Sequence, residues 1–148
     1  MAKFRYKLQS ILNIKLRLEE QRKIAYAIVQ HELNEAEQRL AQIIKQQVDY
    51  QEALKHLMNK KLDVLEMKKC SNAIKTLENL KETQLEVIEE IKIRLERVRA
   101  ELNKAMIERK THEKLRENAF QEFLVEVEDE EKKANDELVT YKYNGSNK

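Results

Sequence analysis

Proline and tryptophan are absent from this 148-residue chain, its one glycine is Gly145, and its one cysteine is Cys70. Each absence removes a class of structure. Compact all-β and α/β folds need frequent turns, and a chain with no glycine or proline before position 145 has little material for them. A single cysteine closes no internal disulfide and offers no thiol pair to a metal, so a reducing compartment suits the chain. No apolar run approaches the ~18 residues of a membrane span, and charges recur too often near the N-terminus for a secretory leader. The expectation is a cytoplasmic protein with no direct membrane insertion.

Chemistry is equally short of material. With its glycine in the last few residues, the chain has no loop to cradle a phosphate. His31, His56 and His112 are not spaced as metal ligands on a helix. Carboxylates abound, but on long helices such pairs form solvated faces that contact Lys or Arg one turn away. No catalytic, cofactor-binding or metal residue is predicted, and no enzymatic activity. The formal net charge of +2 is too small to mark a nucleic-acid binder. The opening Lys3, Phe4, Arg5, Tyr6, Lys7 alternates basic and aromatic side chains but lacks the dense basic block of a DNA-reading helix, so no nucleic acid is expected as partner.

What the chain does have is helix formers and charge. Charged residues make up 38% and aromatics 5%, the signature of long helices or a coiled coil. From Val29 the apolar positions alternate in steps of four and three through Leu33, Ala36, Leu40, Ile43, Gln47, Tyr50, Leu54, Leu57, Lys61 and Val64, a heptad seam. Upstream, Ile11, Ile14, Leu18, Ala25 and Ile28 predict a similar seam displaced by one residue, with a local change of supercoil to absorb the drift. A second seam follows Met67, Cys70, Ile74, Leu77, Lys81, Gln84, Ile88, Ile91, Leu95, Val98, Leu102 and Ala105, then weakens at Arg109, His112 and Arg116 before Ala119 and Phe123 resume it. Polar residues within a seam set register and partner number at a cost in stability.

Two seams in one chain predict an all-α fold, a long antiparallel two-helix coiled-coil hairpin. The whole of 1–143 reads as one hairpin, with a helix over about 3–58, a turn at about 59–63, a helix over about 64–141, and a disordered tail at 144–148. Asn59 tolerates the left-handed conformation that ends helices, and Asp63 followed by Glu66 has capping-box spacing. The rival turn is Cys70, Ser71, Asn72, which would lay the basic residues 3–23 along the acidic residues 122–137. Those segments are of opposite sign: seven bases against two acids, then eight acids against two bases. The preferred turn instead sets the N-terminus opposite residues near 118 and leaves the acidic segment as a single overhanging helix.

Three stretches carry a family resemblance: the opening Phe4-Arg5-Tyr6-Lys7-Leu8-Gln9-Ser10-Ile11-Leu12, the middle Glu35-Ala36-Glu37-Gln38-Arg39-Leu40, and Glu113-Lys114-Leu115-Arg116-Glu117 followed by Asp136-Glu137. In this order and position they resemble the flagellar FliJ family. The resemblance implies a component of the flagellar type III export apparatus, a coiled coil similar to the central stalk of rotary ATPases. It implies binding to the export ATPase FliI, the export gate protein FlhA and export chaperones, at the flagellar base and peripheral to the inner membrane. By position, gate contacts would fall on Ile43, Tyr50, Leu77 and Leu80, while Gln46 and Gln84 depart from the aromatic or imidazole types of other members. The ATPase contact would use Phe4, Leu8, Ile11, Lys15, Leu18 and Arg22. The alternatives are the equivalent stalk of another secretion system or rotary ATPase, and a structural coiled coil that self-associates.

Overall fold

The computed structural model describes residues 3–59 and 63–146. It contains two helices, α1 (Gln9–Met58) and α2 (Val64–Ser146), that pack antiparallel as a coiled-coil hairpin. By contacts the chain divides into two units: residues 22–102, and residues 1–21 with 103–148.

In the unit of residues 22–102, the seam of α1 meets the seam of α2. Val29, Leu33 and Ala36 pack against Ile88, Ile91 and Leu95 in one buried cluster, with Tyr26, Leu40 and Val98 half-buried against it. The antiparallel order is legible in the polar contacts: Arg22 bonds Glu101, Arg99 bonds Tyr26, Arg94 bonds Glu32, and Gln47 bonds Glu78. Gln84 is 8% exposed and donates its amide to the carbonyl of Ala36 at 2.9 Å, which satisfies a polar group inside the seam and fixes the register there. Gln47, also buried, donates to Glu78 at 2.6 Å, and Lys81 is half-buried. Cys70 is buried on the same seam, and Cys70, Ser71 and Asn72 all lie inside α2.

α1 ends where the amide of Asn59 bonds the carbonyl of His56, and α2 begins on Asp63, whose carboxylate accepts from the backbone N–H of Glu66 at 3.3 Å. Glu66 turns its own carboxylate toward Lys69 at 3.4 Å. Of the expected turn, residues 60–62, and with them the seam position Lys61, lie outside the described residues. Val64, the expected last position of the first seam, is 73% exposed at the start of α2.

In the other unit, residues 9–21 of α1 pack on α2 from residue 103 onward. Phe4 lies edge-on to Phe120 with centroids 5.1 Å apart, Arg116 bonds Gln9, and Lys15 bonds Glu108. Helix α1 starts at Gln9 and not near Lys3, because the first residues offer three bases and no acid to the positive end of the helix dipole. α2 runs on through Asn144 and Gly145 to Ser146, where a frayed tail was expected; Gly145 does not take the left-handed conformation that would stop it. The rest of that tail, 147–148, lies outside the described residues.

The displaced upstream seam is not what the fold uses. Counting back from Val29 in alternating steps of three and four reaches Tyr26, Arg22, Glu19, Lys15 and Leu12, and all of these are buried or half-buried. Ile11, Ile14 and Ile28 are 37%, 59% and 56% exposed, and Leu18 and Ala25 half-buried. The phase therefore never shifts. The facing helix supplies the reason: it places Arg109 at the seam, and only the unshifted phase brings a carboxylate, Glu19, to meet it.

Candidate protein-docking surfaces

The residues predicted for gate binding separate into two kinds. Ile43 and Leu77 are 6% and 7% exposed, members of the seam, whereas Tyr50 and Leu80 are 42% and 43% exposed. Only the latter two present side chains to a partner. Gln46, four residues before Tyr50, is exposed, and Gln84 is turned inward to Ala36.

Of the residues predicted to contact an ATPase, five lie in the unit of residues 1–21 and 103–148. Leu8 and Ile11 are exposed, Leu18 is half-buried, and Phe4 is half-buried against Phe120 and Phe123 at 5.1 and 5.5 Å. Lys15 is engaged by Glu108 at 3.0 Å, and this contact holds the Glu108 carboxyl below the usual carboxylate range, first through the hydrogen bond and then through the ammonium charge. Arg22, in the other unit, is engaged by Glu101 at 3.0 Å. Both bases thus act first inside the hairpin.

Around them sequence reasoning missed an ionic centre. Glu19 is 4% exposed; Arg109 Nε and Nη2 reach its two oxygens at 2.6 and 3.2 Å, and Nη1 reaches Glu113 at 3.0 Å. The two carboxylates raise the Arg109 pKa. Among the described residues, the Nδ1 of half-buried His112 and the hydroxyl of Tyr6 are buried without a hydrogen-bond partner. The clue was available: Glu19 stands on the heptad count back from Val29.

Beyond Phe123, α2 changes character. Every residue from 128 to 145 is exposed, and the side chains include Leu138, Val139, Tyr141 and Tyr143 together with six acids between 128 and 137. The recesses on this unit are shallow grooves, such as the one lined by Gln9, Leu12, Glu113, Arg116, Glu117 and Phe120. Among the described residues no group of three or more His, Cys, Asp or Glu is arranged to hold a metal ion, and no helix is long and apolar enough to cross a membrane.

A two-helix coiled coil whose distinguishing surfaces are exposed apolar and charged helix faces belongs to the class of helical binding proteins. The chain belongs to the flagellar FliJ family: the family model, described as the flagellar FliJ protein, matches residues 4–148. It is a component of the flagellar export apparatus. No curated protein and no solved structure matches the chain.

Proposed function

We propose that the chain is a stalk of the export apparatus that binds the ring of the export ATPase FliI, couples it to the export gate protein FlhA, and engages export chaperones. It does this in the cytoplasm, peripherally associated with the inner membrane at the flagellar base. The observation that carries the reading is the C-terminal part of α2, an exposed acidic helix from 128 to 145 with no facing segment of α1. A single helix of that kind suits an axle that enters a ring. In the unit of residues 22–102, Tyr50 and Leu80 are the exposed candidates for the gate, with Ile43 and Leu77 supporting them from the seam.

The test is binding and ATPase activation by the purified chain and by a version that ends at Gln121. Loss of FliI binding and activation in the shortened chain, with FlhA binding retained, is the expected result. Unchanged binding and activation would overturn the axle assignment.

A further inference from the structure

The same C-terminal helix carries a seam of its own. Phe120, Leu124, Val127, Glu131, Ala134, Leu138 and Tyr141 alternate in steps of four and three, the spacing of one face of a coiled coil. Phe120, Leu124, Leu138 and Tyr141 are 37%, 43%, 57% and 78% exposed and Val127 is half-buried; Phe4 meets α2 at Phe120 and Phe123, where the series begins. None of the eight acids between 122 and 137 forms an ion pair with a described residue.

A complementary surface lies on the N-terminal segment. Leu8, Ile11 and Ile14 are exposed at 41%, 37% and 59%, and Lys3, Arg5, Lys7 and Arg17 are exposed and form no ion pair with a described residue. Tail against tail would bring two acidic segments, each with a balance of −6, side by side, which is repulsive. Tail against the basic segment brings −6 to +5 with apolar side chains between them.

We propose that the occupant of this seam is a second copy of the chain, in a twofold dimer where the acidic tail of each protomer lies along the basic, apolar outer face of residues 3–17 of the other. Such a contact is isologous and closes on itself, so it yields dimers and not filaments. It stands independently of the ATPase reading, and it makes the tail unavailable to any other partner while the dimer lasts.

The experiment is sedimentation velocity on the full chain, with helicity followed by circular dichroism to confirm folding. The wild type is expected to dimerise at ~0.05 M salt, with affinity at least ~tenfold weaker at ~0.5 M as screening shortens the reach of the charges. Reversing the basic face (Arg5→Glu, Lys7→Glu, Arg17→Glu) and reversing the tail (Glu128→Lys, Glu130→Lys, Glu131→Lys) are each expected to give monomers. An equimolar mixture of the two variants is expected to recover the dimer. A wild type that stays monomeric at low salt overturns the proposal. So does a dimer that survives reversal of the basic face, which would mean that the tails pair with each other.

Discussion

Glu19 shows what the seam demands of a charged residue. A carboxylate this far from water costs several kcal/mol in desolvation unless it is met with good geometry, and the two-pronged Arg109 contact provides that geometry. Arg109→Met should therefore lower the thermal midpoint by several degrees, because it removes the two-pronged contact to a buried carboxylate, while Glu19→Leu with Arg109→Met should recover most of the loss. Melts followed at the helical circular-dichroism band would test it, and a double variant no more stable than Arg109→Met would contradict it. Glu108 gives a prediction in pH. Its folded-state pKa is depressed by Lys15, so the contact stabilises the fold above the unfolded carboxyl value of ~4.3 and is lost as pH falls through the folded value. The destabilisation caused by Lys15→Met should be larger at pH 7 than well below pH ~4, where both folded and unfolded carboxyls are protonated. Equal losses at the two pH values would count against the pairing. These contacts were hard to see in the sequence because a hydrophobicity pattern cannot tell a charge that is solvated from one that is matched across a seam.

At the scale of elements, most of the packing was legible. The positions from Val29 to Gln47 and from Cys70 to Ala105 recur with heptad spacing, and all of them are buried or half-buried. Ile88 and Ile93 make the comparison testable, since they are 5% and 65% exposed on the same helix. Ile88→Ala should cost about 2–5 kcal/mol by loss of burial and a residual cavity, and Ile93→Ala less than about 0.5 kcal/mol, measured by urea unfolding. Comparable losses would mean that the face of α2 is misassigned. The upstream part of α1 was misread for a physical reason. Ile11 and Ile14 look like a core stripe, yet the facing stretch of α2 presents Glu108 and Arg109, which engage Lys15 and Glu19, and the isoleucines stay exposed.

For the molecule as a whole, the hairpin class could be read from composition and two seams, while the partner surfaces could not. A seam position and an exposed docking position are both apolar in sequence, which is why Ile43 and Leu77 joined Tyr50 and Leu80 in one predicted set. Only the folded pair of helices separates them by exposure. The same lack of a globular interior leaves the chain with a built-in clock. Cys70, its one thiol, is buried on the seam. An alkylating reagent therefore reacts mainly when the two helices part locally at that point. The natural sequence thus times its own breathing, with no label added.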